Sequence, residues 1–462
     1  MSVVGAIMVP HPPILLPEIG RGEEKKLAAS DAAYRRAAAF AASLNPDTIV
    51  ISSPHALMYA DYFHVSPGDG AQGDMGRFRA PQLRFQANYD AVFSSELSAL
   101  AEKEGFPAGT LGERMPELDH GTMIPLYYIS RFSKSFRLVR VGLSGLPPAD
   151  HYRLGEMIAE TAEKLDRRVL FVASGDLSHK LLAEGPYGFA AEGPAYDERV
   201  MDVMGRAAFD ELLDFDESFL DKAAECGHRS FCMMAGALDG KRVDAERLSH
   251  EGPFGVGYGV CTYRVVCGDP ERRLLKKWQA RKKKALDEAR RREDPWVRLA
   301  RAGTEAWVRE RRRIELPEGL PAEMTGKRAG VFVSLHKDGR LRGCIGTIRP
   351  ARRSVAEEIV ENAISAASRD PRFSPVRADE LDALEISVDV LDAPERISSK
   401  AGLDVRRYGV IVTKGGKRGL LLPNLDGVDT VDNQIAIALR KAGLSERETD
   451  YELERFEVVR HV

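Results

Sequence analysis

The chain has 462 residues, more than a single hydrophobic core organises, so two or three domains are expected. Its 44% apolar and 30% charged residues are ordinary for a soluble globular protein, and a net charge of −3 gives no bias toward nucleic acid. No apolar run is long enough to cross a bilayer, and the opening MSVVGAIMVPHPP lacks the basic region and long apolar stretch of a signal peptide, so a cytoplasmic location is expected, with neither a membrane nor a nucleic-acid partner.

In chain order, the first half alternates short apolar runs with alanine-rich stretches. The runs are VVGAIMV (3–9), TIVISS (48–53), RLVRVGLS (137–144) and RVLFVAS (168–174). They are continuous and rich in β-branched residues, as strands buried on both faces are. Helix-like segments lie between them, at 22–43 and 151–165 among others. Alternation of this kind predicts an α/β fold, a mainly parallel sheet flanked by helices, with any ligand beyond the carboxyl ends of the strands. GYGVCTYRVVC (257–267) reads as a last strand and closes a domain over 1–267.

The composition then shifts. ERRLLKKWQARKKKALDEARRRE (271–293) holds eleven Lys or Arg against four acidic residues, without Gly or Pro. It reads as a solvated helical linker, 268–293, because charge runs are usually solvated faces. Asp294 and Pro295 read as an N-cap and a first-turn proline, so a second domain is expected over 294–462. Its strands, GVFVSLH (330–336) and LEISVDVL (384–391), mix with helices near 354–368 and 431–442, which predicts a smaller α+β domain.

The chemistry-bearing residues cluster in the first domain. His11 follows the first strand and His55 the second, each beside a proline; His120 stands in DHGTMIPL and His179 in SGDLSH, after the fourth strand. One histidine in a loop is usually a surface group. Two in matching positions after successive strands point to a metal, because strand ends converge at one edge of a sheet and imidazole is the commonest transition-metal ligand. A third ligand is sought in AAECGHRSFCMMAGALDG. Glu225 would complete the two-histidine, one-carboxylate set that suits Fe(II), and Cys226 would favour a softer ion. His64, His151, His228, His250 and His336 lack a repeated context and read as structural. The five cysteines, Cys226, Cys232, Cys261, Cys267 and Cys344, are odd in number and lack metal-knuckle spacing, so free thiols are expected.

VPHPPI, SSPH, DHGTMIPL and SGDLSH, in this order over 1–267, resemble the catalytic subunit of the class III extradiol dioxygenases, the LigB-like superfamily that also contains the Memo proteins. The resemblance implies Fe(II), or zinc or another divalent ion, on His11, His55 and Glu225. It makes His179 the base and His120 the assisting acid, with dioxygen and a small catechol-like substrate. The Cys226–Gly227 pair also matches Memo-type members, which are not established ring-cleaving enzymes. In the second domain LRGCIGT (341–347), ASRDPRFSPV (367–376), YGVIVTKGGKRGLLLP (408–423) and YELERFEVVRH (451–461) resemble the AMMECR family. Together the two resemblances imply the AmmeMemoRadiSam system. The protein is then either a dioxygenase or a metal-binding accessory of a radical SAM protein. Cys344 reads as a structural residue packed beside Gly343 and Gly346, with Arg342 near enough in sequence to activate a thiolate. Arg369, Asp370, Arg372 and Phe373 read as a polar wall or an ion-pair loop. TKGGKRG (413–419) lacks the spacing of a nucleotide-binding loop.

Overall fold

The computed structural model describes residues 3–115, 117–133, 135–425 and 427–462. They form two compact units, Met1–Arg281 and Lys282–Val462. The first is built on a six-stranded sheet: β1 (Val3–Val9), β2 (Thr48–Ser53), β3 (Arg137–Gly142), β4 (Val169–Ser174), β5 (Lys241–Glu251) and β6 (Tyr258–Gly268). The spatial order is β3-β2-β4-β1-β6-β5. The first four strands in that order run parallel, and β6 and β5 close the sheet as an antiparallel hairpin.

Every residue of β1, β2 and β4 is buried. Their side chains alternate between two separate cores. Ala6, Met8, Phe171 and Ala173 face one core, with α2 (Ala91–Glu104), α4 (Pro148–Lys164), α5 (Glu192–Arg206) and α6 (His228–Ala237). Ile7, Val9, Leu170 and Val172 face the other, with α1 (Ala28–Ser43) and α3 (His120–Ile129). This is the layered arrangement expected from continuous apolar strands that alternate with helices. β5 was not foreseen. Its sequence KRVDAERLSHE alternates exposed and half-buried positions along the sheet edge, where charge discourages further pairing.

The run expected to be a solvated linker is the helix Leu274–Arg292. Its first turns are not solvated: Leu275 and Trp278 are buried in the first unit's core, and the Trp278 indole N–H donates to Asp214 (2.7 Å). Arg281 pairs with Asp210 and Asp214. The boundary between the units therefore falls inside the helix.

The second unit is the smaller and is rich in β-structure. After the end of the basic helix comes α7 (Pro295–Glu310), where Asp294 caps the helix by accepting from Trp296 N–H and Val297 N–H. One four-stranded antiparallel sheet contains β7 (Val331–Lys337), β8 (Arg340–Gly346), β9 (Leu384–Leu391) and, at its edge, Val458–His461; α7 and α8 (Val355–Ser368) share its core. A second four-stranded sheet carries the helix Val431–Lys441.

Candidate metal centre

β1, β2 and β4 are neighbours and parallel, so their carboxyl ends share one edge of the sheet. His11 leaves β1, His55 leaves β2, and residues 175–179 leave β4. The His11 and His55 Nε2 atoms lie 3.0 Å apart, with Cys226 Sγ 3.7 Å from His11 Nε2. Two ligands of one ion at about 2.0–2.3 Å are separated by about 3–3.6 Å, so all three atoms fit one coordination sphere.

The tautomer of His11 is set by its neighbours. The Ser174 hydroxyl donates to the Gly121 carbonyl (2.6 Å), so its oxygen accepts from His11 Nδ1–H (3.0 Å). That places the Nε2 lone pair toward His55 and Cys226, as a hydrogen-bonded partner does for a metal-binding imidazole. A second network fixes the His55 loop. His55 N–H donates to Ser53 Oγ, and Ser53 Oγ donates to Asp119 (2.6 Å). Asp119 caps α3 by accepting from Thr122 N–H, which sets His120 on the first turn. The His120 ring lies 4.0 Å from that of His55 and 5.4 Å from that of His11, with Phe78 beside it at 5.2 Å.

Cys226, not Glu225, joins the two histidines. The Glu225 carboxylate accepts from His228 N–H (2.6 Å) at the start of α6, where free backbone N–H groups attract an acceptor. Cys226 reaches the site because Gly175 and Gly227 bring two backbone segments together: a Cβ on Gly175 would lie 2.2 Å from the Gly227 Cα. The Asp176 N–H donates to Cys226 Sγ (3.3 Å), and Asp176 Oδ1 accepts from His11 N–H (2.8 Å). Asp176, three residues before His179, thus accepts its hydrogen bond from the His11 backbone and not from the His179 imidazole. The His179 loop is held instead by Ser178, whose N–H donates to Asp197 (2.9 Å) and whose hydroxyl donates to the Ala223 carbonyl (2.7 Å). His179 Nε2 is buried without a hydrogen-bond partner, and the Tyr187 ring covers the imidazole at 5.0 Å.

Burial makes these groups neutral. It lowers His11 well below the ordinary imidazole range, with His55 adding to the effect. Burial likewise lowers His55 and His179, and takes His120 down to about 3. Neutral imidazoles are the metal-binding form. Burial also pushes Asp176 up to about 6, Glu225 up to about 7 and the Cys226 thiol well above its usual range. A bound cation reverses the penalty on the thiol, because coordination releases its proton. Two imidazoles and a thiolate fit a borderline divalent ion.

Elsewhere, His151 and His228 have the structural environments expected of them. His151 Nδ1 lies 3.1 Å from the Pro147 carbonyl and Nε2 accepts from Ser144 N–H; His228 Nε2 lies 2.9 Å from the Leu212 carbonyl. Arg342 donates to Glu380 and to the Ser374 carbonyl. Cys344 Sγ accepts from the Ser334 hydroxyl (3.2 Å), and a Cβ on Gly343 would lie 2.3 Å from the Ala366 carbonyl oxygen.

Comparisons with known proteins cover both units. The family described as "Catalytic LigB subunit of aromatic ring-opening dioxygenase" matches residues 5–261, and the AMMECR1 family matches 297–461. A Clostridium acetobutylicum protein, CA_C1420, is 39% identical over all of this chain and 99% of its own length. A Thermotoga maritima protein is 51% identical over 37% of this chain and 98% of its own length. The solved structure of PH0010 from Pyrococcus horikoshii is 34% identical, covers 36% of this chain and 88% of its own, and has a TM-score of 0.34. No helix among the described residues is long and apolar enough to cross a membrane. The chain belongs to the family of the catalytic LigB subunit of aromatic ring-opening dioxygenase, here joined to an AMMECR1 domain.

Proposed function

We propose that the first unit is a metal-dependent oxidoreductase that opens or oxygenates a small catechol-like ring with dioxygen, with Fe(II) on His11, His55 and Cys226. The observation that carries this reading is the pair of imidazole Nε2 atoms 3.0 Å apart beside Cys226 Sγ, with Ser174 fixing one tautomer. The ion, when bound, supplies Lewis acidity that lowers a phenol pKa and a path for charge between substrate and dioxygen. His179 Nε2, buried, neutral and without a partner, takes the proton of a substrate hydroxyl. His120 is neutral as well, so it orients a polar atom through its ring nitrogens and gives up a proton only after receiving one. Phe78 packs beside the His120 imidazole and Tyr187 beside that of His179.

Cys226 in the place of a carboxylate favours a second reading. A metal-loaded accessory of a radical SAM protein, within the AmmeMemoRadiSam system, needs the ion but not the ring-opening reaction. Free cysteines in either reading accord with a cytoplasmic site of action. Metal analysis after anaerobic purification, followed by oxygen uptake with a catechol panel, separates the two. The His11→Ala, His55→Ala double variant is expected to stay folded and lose the equivalent of iron held by this centre. Unchanged metal content in that variant refutes the centre. Full metal content in the unsubstituted chain, with no oxygen uptake on any catechol, leaves the accessory reading.

A further inference from the structure

The donors around the site are more than one ion needs. Among the described residues they sort into two triads that share a single atom, the sulfur of Cys226. One is His11, His55 and Cys226; the other is Asp176, His179 and Cys226. Within each triad all the ligand atoms lie within 4.8 Å of one another.

The second triad has unspent capacity. His179 Nε2 is shielded from solvent and has no hydrogen-bond partner, although an unpaired buried polar atom is costly in a native fold. Asp176 commits Oδ1 to the His11 backbone and keeps Oδ2, which lies 3.9 Å from His11 Nε2, on the inner side of the site. The loops that carry these side chains are held from behind, by Asp197 and the Ala223 carbonyl on Ser178 and by the close approach of Gly175 to Gly227. A carboxylate oxygen, an imidazole nitrogen and a thiolate form a donor set for a borderline divalent ion. A thiolate sulfur has lone pairs enough to bridge two cations.

We propose that the centre has a second metal position, formed by Asp176, His179 and Cys226, which shares the Cys226 sulfur with the first. The proposal rests on the reading that His11, His55 and Cys226 hold the first ion. An ion in the second position engages His179, the same side chain that removes a substrate proton. His179 is thus a base when one ion is bound and a ligand when two are bound, and divalent metal in excess stops turnover.

The test is an anaerobic titration of the metal-depleted full-length chain with Co(II). Bound cobalt is counted after desalting, the sulfur-to-cobalt absorption is followed, and Co(II) paramagnetism is measured. The unsubstituted chain is expected to bind two equivalents, with the paramagnetic signal per cobalt falling as the second enters, because a shared thiolate couples the ions. His179→Gln and Asp176→Asn are each expected to bind one equivalent and keep the sulfur absorption. The His11→Ala, His55→Ala double variant is expected to keep one equivalent. If the unsubstituted chain binds one equivalent that only the double variant loses, the second position is refuted and the first stands. If it binds none, both fall. Two equivalents retained in both His179→Gln and Asp176→Asn place the second ion elsewhere and overturn the proposal.

Discussion

The two units treat their buried ionisable groups in opposite ways. In the second unit charges are matched: Arg342 meets Glu380 at 2.9 Å, Arg372 meets Asp370 at 2.7 Å and Arg460 meets Asp389 at 2.7 Å. Hydrogen bonds from Arg372 hold Asp370 down to about 2, and Arg342 overcomes the effect of burial to hold Glu380 at about 2. In the first unit burial is the main influence on the groups at the strand ends: it drives the His11 and His120 imidazoles and the Cys226 thiol toward the neutral form and raises Asp176 to about 6. Paired charges stabilise a fold. Neutralised, closely packed donors at a sheet edge store an affinity for something the chain does not itself contain, and perturbed groups of that kind mark functional sites.

The contrast can be broken most decisively at His179. If it is a base, then with a single equivalent of iron bound His179→Gln lowers turnover by about 10²–10⁴-fold while that equivalent is retained. Loss of iron in that variant would show a ligand where a base is proposed. A smaller effect is expected at Ser174. Ser174→Ala removes the acceptor for His11 Nδ1–H, and metal affinity, measured by competition with a chelator, should fall by about 10–100-fold. Unaltered affinity would mean that the tautomer is set without the hydroxyl.

The smallest expected effect is on stability against pH. His11, His55, His120, His151, His179 and His228 all titrate below the ordinary imidazole range in the folded first unit, chiefly through burial. The unfolded chain takes up protons near pH 6.5 and the folded unit does not, so stability is lost as pH falls from about 6.5. Asp176 and Glu225, whose pKa values are raised, oppose part of this loss. In the second unit the depressed Asp370 and Glu380 contribute stability above about pH 4.5, which fades as pH falls toward 2. Hydrogen exchange on the intact metal-free chain, corrected for its intrinsic pH dependence, should show the first unit loosening near pH 6 and the second not before about pH 4. Simultaneous loosening would remove the distinction.

Much of this was legible in the sequence, for reasons that differ by residue. TIVISS coincides with β2, because a strand buried on both faces has little choice but continuous apolar residues; LEISVDVL coincides with β9, where apolar Leu384, Ile386, Val388 and Val390 alternate with polar or exposed positions at its start. His11 and His55 were legible because chain position after a parallel strand fixes location at one sheet edge. Cys226 was not separable from Glu225. Which of two adjacent side chains turns inward depends on the Gly175–Gly227 approach and on the His228 N–H, and local sequence reports neither. Ser174 was hidden in the same way, since its partner His11 lies 163 residues away. β5 was obscured because an edge strand trades apolar continuity for charge.

The docking of the basic helix determines where the gene can be divided. A fragment that stops at Gly268 keeps all six strands but strips Leu275 and Trp278 from the first unit's core. Truncating a buried Trp alone costs about 3–5 kcal/mol, a large share of a domain's stability, so that fragment is destined for the insoluble fraction. One that runs through Arg281 retains both side chains and the Asp214 contacts. Thirteen further residues, eight of them in the helix, thus separate a usable half-protein from an aggregate, and trypsin acting on the intact chain should find its first cleavage sites beyond Arg281, among Lys282, Lys283 and Lys284.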